Sequence, residues 1–467
     1  MRAFPEANRG VSRWFAAATA LVAVLCALSA AATASAADYV PGLVVVGYSR
    51  APTMVPDEAR IASAAGARIP ATVDSTAVVR TPRGVSVKAE IRRLRRERGV
   101  AYAVPDFIAH AATATTWVPN DPGRAHVRGG WERMQWNFLA ADGVNALEAW
   151  ANLRADGRPG GRGVTIAVLD TGVAYRNWHK FRRMPDFKGT RFVDPYDFVA
   201  NNRYPLDRNG HGTFVAAMIG EATNNGIGLT GLAYGASIMP VRVLNAAGTG
   251  EATTIAKGIR YAVNHGARVI NMSLEFSLDV TSSDIPEIVS AVRFAHRHGV
   301  VVVAAAGNEG VSQLAYPAAA PDVVSVGATT RDRCLADYSN GGPQLDLVAP
   351  GGGDDASLND PDCNPSANLP SIYQMSLTNP SDPSEFGYPS YVYGTSMSSP
   401  EVAATAALVI ASHVLGPHPT PQQILKRLES TAAPLDGSAP NATYGYGLLN
   451  AGAATAPIAK TTAPVAK

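Results

Sequence analysis

The feature that most restricts the fold of this 467-residue chain is a series of short apolar segments that alternate with helical ones after Gly163. The apolar segments lack the polar alternation of a half-exposed strand, so both faces of each strand should be buried. The candidate strands are residues 164–169, 238–243, 268–272, 300–305, 323–326 and 345–348. The candidate helices are residues 254–264, 286–298 and 398–414. Buried strands joined by helical crossovers predict an α/β fold, a three-layer, doubly wound and mostly parallel sheet.

The N-terminal residues have the three parts of a secretory signal peptide. Three arginines precede an apolar run over residues 14–28, and an Ala-Ser-Ala cleavage site follows at residues 34–36. We therefore assign residues 1–36 to a signal peptide and expect a secreted, periplasmic or extracellular protein. No later stretch has about 18 apolar residues without a charge, so we expect no membrane span once the signal is removed.

A second, smaller domain is predicted between the signal and the parallel sheet. Residues 37–116 contain candidate strands and helices in the order strand, helix, strand, helix, strand. The strands are residues 43–46, 76–80 and 100–108, and the helices are 57–65 and 87–98. The Ala, Thr, Pro, Asp and Gly content of the next stretch predicts an exposed linker, which we assign to residues 117–133. The main domain then spans 134–453, and 454–467 form a flexible tail.

Charge and cysteine content restrict the partners and the compartment. The chain has 40 basic and 38 acidic residues, a near balance that gives no reason to expect a nucleic acid partner. We expect a monomer. Removal of the signal leaves two cysteines, Cys334 and Cys363. In an oxidising compartment a disulfide between them is favoured over two free thiols, and a zinc site lacks the histidine spacing that it would need.

Three short motifs carry groups that together activate a serine. Asp170 ends the predicted strand of VTIAVLDTGV, His211 begins HGTFVAAMIG, and Ser396 lies in GTSMSSPEVA at the start of a helix. A free hydroxyl is a weak nucleophile at neutral pH and needs an adjacent base, which an acid can orient. Taken singly, the Asp is also typical of a turn, the His of a surface position and the Gly-x-Ser of a structural loop.

The order Asp, His, Ser and the residues around each member resemble those of subtilisin-like serine proteases, the subtilases. The resemblance extends from about residue 135 to about 453, and residues 37–116 resemble the ferredoxin-like inhibitory propeptide of that family. It implies a secreted serine endopeptidase that cleaves protein or peptide substrates through an acyl-enzyme. It also implies an autoprocessed zymogen, inhibited by its own propeptide. A non-catalytic subtilase scaffold is the alternative; an esterase of the α/β-hydrolase type disagrees with the triad order.

The resemblance also assigns the groups around the triad. Asn308 matches the residue that donates its side-chain amide to the oxyanion. The segments that flank a bound peptide match Gly248, Thr249, Gly250, Ser273, Leu274, Glu275, Ala306 and Gly307. Glu275 stands where a glycine is usual, and Glu309 follows the oxyanion Asn. Two carboxylates there would favour a basic residue before the scissile bond, unless both point to solvent. Phe214 and Glu401 replace histidines of the usual pattern on the two catalytic helices.

A structural calcium site is the last implication of the resemblance. The sequence Thr-Asn-Asn-Gly-Ile-Gly-Leu over residues 223–229 is similar to a loop that wraps calcium with carbonyl and amide oxygens. The expected ligands are Gln135, Asp186, Thr223, Asn225, Ile227 and Leu229. The alternative is an ordinary Asn/Gly turn.

Overall fold

The computed structural model describes residues 39–48, 76–82, 84–107, 117–358, 363–365, 369–436 and 439–458. The chain divides into two compact units, Met1–Ala114 and Thr115–Lys467, which are described separately. Among the described residues, no helix combines the length and the apolar character needed to cross a membrane.

The first unit contains a three-stranded antiparallel sheet and one described helix. The elements are β1 (Tyr39–Tyr48), β2 (Thr76–Arg80), α1 (Val87–Leu94) and β3 (Val100–Phe107), with β1 in the centre of the order β2-β1-β3. Ser86 caps α1 by accepting a hydrogen bond from the backbone N–H of Ala89 at 3.2 Å. Val44, Val46 and Leu94 form the centre of its small core.

The α+β arrangement predicted for this unit is confirmed in the described residues. The predicted helix 57–65 lies outside them. The predicted helix 87–98 ends earlier, at Leu94, because the chain turns through the following residues to Gly99, whose φ is +90°.

The second unit is built on the predicted parallel sheet. Its strands are β4 (Thr165–Asp170), β5 (Arg191–Phe192), β6 (Tyr196–Asp197), β7 (Ser237–Arg242), β8 (Val269–Met272), β9 (Val301–Ala305), β10 (Val323–Thr329) and β11 (Leu347–Pro350). The order is β11-β10-β9-β8-β4-β7-β5, and β6 also pairs with β7. All of these pairings are parallel. A two-stranded antiparallel ribbon follows, β12 (Ser376–Leu377) with β13 (Phe386–Gly387).

Helices cover both faces of this sheet, which makes the three predicted layers. They are α2 (Ala146–Ala155), α3 (His211–Gly220), α4 (Ala252–Asn264), α5 (Pro286–Arg297), α6 (Thr395–Ser412), α7 (Pro421–Thr431) and α8 (Ala451–Thr455). Successive residues of β4 point to opposite faces. Ile166 and Val168 join the core formed with α2, α3 and α6, whereas Ala167 and Leu169 join the core formed with α4 and α5.

The segment predicted to be an exposed linker, 117–133, is instead packed into the second unit. Trp131 is fully buried and donates its indole N–H to the carbonyl oxygen of Pro119 at 3.2 Å. The ring of Trp117 meets the buried ring of Trp150 edge to face, with centroids 5.9 Å apart. The small and polar residues around Trp117 and Trp131 are typical of a linker, but the burial of Trp131 and the packing of the half-buried Trp117 outweigh that tendency.

A disulfide joins Cys334 and Cys363, as the cysteine count predicts. The two residues are 29 positions apart in the sequence, with their Cα atoms separated by 5.8 Å.

Candidate active site

Asp170 supplies the acid of the site from the last position of a central strand. It is 1% exposed and follows four buried residues of β4. Its Oδ1 accepts a hydrogen bond from the backbone N–H of Thr171 at 2.6 Å. The imidazole Nδ1 of His211 lies 2.8 Å from Oδ1 and 3.0 Å from Oδ2. A carboxylate buried in this way is stabilised by such partners and fixes the orientation of the imidazole.

His211 is the first residue of α3, and close backbone packing brings it to Asp170. A side chain on Gly212 would place its Cβ 2.2 Å from the carbonyl oxygen of Gly172, so only glycine permits this approach. Burial lowers the pKa of the imidazole, but the charge and hydrogen bond of Asp170 and the charge of Asp207 raise it above its ordinary value. The side chain keeps 30% of its surface exposed, so its other nitrogen can meet a substrate.

Ser396 is the second residue of α6, which begins after Gly394. Its hydroxyl donates to the carbonyl oxygen of Ser273 at 3.5 Å, and the Ser273 hydroxyl donates to the carbonyl oxygen of Ser396 at 2.8 Å. No hydrogen bond joins Ser396 to His211 within the described part of the chain. Both line one cavity of about 580 Å³, and catalytic hydrogen bonds are often long before substrate binds.

Asn308 lies three residues after β9 and lines the same cavity. Its Oδ1 accepts hydrogen bonds from the backbone N–H of Thr395 at 2.8 Å and from the Thr395 hydroxyl at 3.0 Å. Its amide nitrogen donates to Glu275 Oε2 at 3.3 Å. The donor end of this amide therefore faces the cavity, next to the start of α6.

Six of the eight predicted substrate residues line this cavity, and two do not. The lining includes Gly248, Thr249, Gly250, Ser273, Leu274 and Glu275. Ala306 is fully buried and packs with Leu314, Leu345 and Val348. Gly307 is also buried. Both continue the buried run that follows β9, and their contact with substrate stays a prediction. Sequence reasoning missed other lining residues, which are Thr171, Asn209, Leu244, Ile255, Phe276 and Ser277.

Comparison with known proteins decides the family. Residues 161–447 match the model described as the subtilase family, which is more than half of the chain. The chain belongs to the subtilase family. It is 33% identical over 365 residues to the thermophilic serine proteinase of Bacillus sp. (strain AK1), covering 78% of this chain and 75% of that one. It is 37% identical over 295 residues to subtilisin Savinase of Lederbergia lenta, covering 63% of this chain and 91% of that one.

A solved structure supports the subtilase fold, and a second family model matches the N-terminal unit. A solved structure titled as proteases from Pseudoalteromonas arctica PAMC 21717 matches with a TM-score of 0.59 and 31% identity, covering 73% of this chain and 99% of that one. Residues 27–106 match the fervidolysin N-terminal prodomain family. That match begins inside the predicted signal peptide, 1–36. This subtilase is a subtilisin-like serine protease that carries a prodomain.

Some of the predicted calcium ligands lie together in this subtilase. Asp186 is fully buried, and it accepts hydrogen bonds from the Asn225 amide at 2.7 Å and the backbone N–H of Leu229 at 2.9 Å. No described residue donates a hydrogen bond to the carbonyl oxygens of Thr223, Ile227 or Leu229. Gln135 contacts the residue that follows this loop. Its Oε1 accepts a hydrogen bond from the backbone N–H of Thr230 at 2.9 Å.

Two more buried acids, which the sequence reasoning missed, lie beside this loop. Asp121 is fully buried and accepts the backbone N–H groups of Asn224 at 2.7 Å and Asn225 at 3.0 Å. Glu221 is also fully buried; one carboxylate oxygen binds Gln374, and the other has no partner in the described part of the chain. Burial raises the pKa values of Glu221 and Asp186, and the charge of Asp121 raises both further.

Phe214 and Glu401, which replace histidines of the usual subtilase pattern, both point into the core. Phe214 is 3% exposed and packs in the cluster that joins α3 to α6. Glu401 is fully buried on α6 and accepts a hydrogen bond from the Asn137 amide at 2.7 Å. Neither side chain lines the cavity that holds Ser396 and His211.

Proposed function

We propose that this subtilase is a secreted, autoprocessed serine endopeptidase in which Ser396 is the nucleophile and His211 the general base. The observation that carries the proposal is the position of Asp170, His211, Asn308 and Ser396. His211, Asn308 and Ser396 line one open cavity. Asp170 forms a hydrogen bond with the imidazole of His211. A scaffold without activity would have no need of this arrangement.

The proposed reaction passes through an acyl-enzyme. His211 removes the proton from the Ser396 hydroxyl as its Oγ attacks the carbonyl carbon of the scissile bond. Negative charge then develops on the carbonyl oxygen, where the Asn308 amide and the backbone N–H of Ser396 donate hydrogen bonds. The imidazolium gives its proton to the leaving amine as the C–N bond breaks. Water then repeats the sequence on the ester and releases the acid product.

The buried acid Asp170 supports the base function of His211. Its contact with Nδ1 leaves Nε2 as the nitrogen that faces the hydroxyl, and its charge stabilises the imidazolium that forms. The positive end of the α6 dipole at Ser396 favours the developing oxyanion as well. Protein or peptide substrates fit the exposed backbone of Gly248–Gly250, which can pair with an extended peptide.

Autoprocessing gives a direct test of the proposed nucleophile. Wild-type protein should label with a fluorophosphonate and lose its N-terminal unit, whereas Ser396→Ala should remain unlabelled and full length. Ser381→Ala, a change of an exposed serine outside the cavity, is the matched control and should behave as wild type. Labelling of Ser396→Ala, or removal of its N-terminal unit in pure preparations, would contradict the assignment.

We also propose that the loop 223–229 holds a structural calcium ion. Asp186, Asn225 and the carbonyl oxygens of Thr223, Ile227 and Leu229 are the hard oxygen donors that calcium prefers. Glu221 and Asp121 add buried negative charge, and no Lys or Arg forms an ion pair with either in the described part of the chain. When bound, the ion would offset this charge and stabilise the fold.

Calcium binding should appear as a thermal shift in protein that cannot digest itself. In the Ser396→Ala background, calcium at about 100 times its Kd would add about 2.7 kcal/mol to the free energy of unfolding. Adding Asp186→Asn should remove most of the calcium-dependent rise in Tm, and adding Asp279→Asn, an exposed acid elsewhere, should not. An equal rise in both variants, or no rise in either, would contradict the site.

A further inference from the structure

Hydrogen bonds to the side-chain oxygen of Asn308 fix the orientation of its amide, and so the direction in which the amide nitrogen points. Two hydrogen bonds from Thr395, at 2.8 and 3.0 Å, fix Oδ1 against the start of α6. A planar amide held in this way keeps its two N–H groups aimed away from the helix. In this subtilase that direction leads into the substrate cavity.

Glu275 already occupies this donor in the free enzyme. Its Oε2 accepts a hydrogen bond from Asn308 Nδ2 at 3.3 Å, and its side chain lines the cavity that Ser396 and His211 line. The developing oxyanion of peptide hydrolysis needs that same donor. The amide has two N–H groups, but a carboxylate that holds one of them repels an oxyanion on the other. Glu275 must therefore move before the reaction proceeds.

The charge of Glu275 is not balanced by a cation within the described part of the chain. Burial and the charge of Glu309 raise the pKa of Glu275, whereas its hydrogen bonds to Asn308 lower it. Glu309 itself accepts a hydrogen bond from the Asn340 amide at 2.6 Å, which holds the second carboxylate near the first. One acid thus lines the cavity and a second lies close behind it, and no ion pair to Lys or Arg is found for either among the described residues.

The position of Glu275 selects which substrate side chain can reach it. The carbonyl oxygen of the residue before the scissile bond will lie at Asn308 Nδ2, which is 3.3 Å from the Glu275 carboxylate in the free enzyme. The side chain of that same residue leaves the carbon next to this carbonyl. A lysine or arginine there is long enough to reach a carboxylate that has moved off the amide.

We propose that Glu275 makes this subtilase selective for lysine or arginine before the scissile bond, because the basic side chain draws the carboxylate away from Asn308. The inference rests on the proposed peptidase function. An uncharged side chain gives no compensation for moving Glu275, so less of the enzyme has a free oxyanion donor. The basic side chain supplies that compensation, and its binding energy is used to complete the reactive site.

The test compares peptide amides that differ only in the residue before the scissile bond. Mature enzyme would be titrated with a fluorophosphonate, and kcat/KM measured for lysine, norleucine and glutamate peptides. Wild type should prefer lysine to norleucine by about tenfold or more, the effect of one charged hydrogen bond. Glu275→Ala should lose that preference, and its activity on the norleucine peptide should rise. Glu275→Lys should prefer the glutamate peptide.

Asp279→Asn is the matched control, since it removes one exposed negative charge from the same loop but lies outside the cavity lining. It should keep the wild-type preference. Equal activity of titrated wild type on the lysine and norleucine peptides would overturn the inference. So would a Glu275→Ala enzyme that keeps the preference or is slower on norleucine. A wild type that neither titrates nor cleaves any of the peptides would instead overturn the proposed function, and the inference with it.

Discussion

Glu401 offers a test of how burial controls stability in this subtilase. Its carboxyl is fully buried on α6, five residues after the proposed nucleophile. Asn137 donates to one carboxyl oxygen at 2.7 Å, while the other oxygen and the Asn137 Oδ1 have no partners in the described part of the chain. A protonated carboxyl would satisfy both, by donating its O–H to the Asn137 oxygen. We therefore expect Glu401 to be neutral in the folded protein.

The pH dependence of stability follows from this state. Burial raises the pKa of Glu401 well above its ordinary value, and the hydrogen bond from Asn137 lowers it only in part. Above about pH 4.3 the unfolded chain releases a proton that the folded protein keeps. The free energy of unfolding therefore falls by about 1.4 kcal/mol for each pH unit, until the folded-state pKa is reached. At pH 7 this loss amounts to about 3.7 kcal/mol for a carboxyl that stays neutral.

Glu401→Gln removes this loss while it keeps the shape of the side chain. The new amide can accept from Asn137 Nδ2 and donate to Asn137 Oδ1, so the orphan Asn137 oxygen gains a donor and the orphan carboxyl oxygen is replaced by that donor. We expect calorimetry in the Ser396→Ala background to show a Tm that is higher by several degrees at pH 7. The gain should be small near pH 4 and increase toward neutral pH.

Glu251→Gln, a change of an exposed acid, is the control and should leave Tm unchanged at each pH. The reasoning is refuted if Glu401→Gln lowers Tm near pH 7. It is also refuted if the change in Tm is the same at pH 4 and pH 7, because a purely steric effect has no reason to follow proton release.

Three further predictions concern catalysis and the disulfide. Because the pKa of His211 is raised and the base must be neutral, the acidic limb of the kcat/KM profile should have its midpoint above the ordinary histidine value of about 6.5. Asn308→Ala should lower kcat by about 10²- to 10³-fold with little change in KM. Replacing Cys334 and Cys363 by serine should lower the free energy of unfolding by roughly 3–4 kcal/mol, measured in urea, because 29 residues of separation define the closed loop.

Each of these has an outcome that contradicts it. An acidic midpoint below 6 would mean that Asp170 does not favour the charged imidazole. A larger effect of Asn308→Ala on KM than on kcat would mean that the amide binds the ground state as much as the transition state. An unchanged urea midpoint in the double serine variant would mean that this loop is already ordered in the unfolded chain.

Local patterns were enough to predict the fold class and the positions of its main strands and helices. Buried strands such as 164–169 and 300–305 have no polar face, which leaves a sheet covered on both sides as the stable solution. Asp170 follows one strand and Asn308 follows another, and the carboxyl ends of parallel strands share one edge. This is why Asp170 can meet the start of α3 and Asn308 the start of α6 at one edge of the sheet, although the two residues are 138 positions apart in the sequence.

What the sequence could not predict depends on side-chain direction and on distant packing. Ala306 and Gly307 precede Asn308 directly, yet they are buried like the whole of β9, because the sheet is covered on both faces up to this point. Asp121 accepts a hydrogen bond from Asn224, which is 103 positions away in the sequence. A local sequence pattern cannot predict such a contact. The composition of 117–133 resembles a linker, and only its packing shows otherwise.

The contacts that residues 117–123 make with the second unit limit where the proposed maturation can cut the chain. Trp117 packs against Trp150, and Gly123 donates its backbone N–H to the carbonyl oxygen of Gly228 at 2.9 Å. A cut within this segment would detach an aromatic anchor and withdraw Asp121 from the loop that we propose to hold calcium. In the autoprocessing that we propose, the new N-terminus should therefore arise before residue 117, so that Asp121 stays beside the loop that we propose to hold calcium.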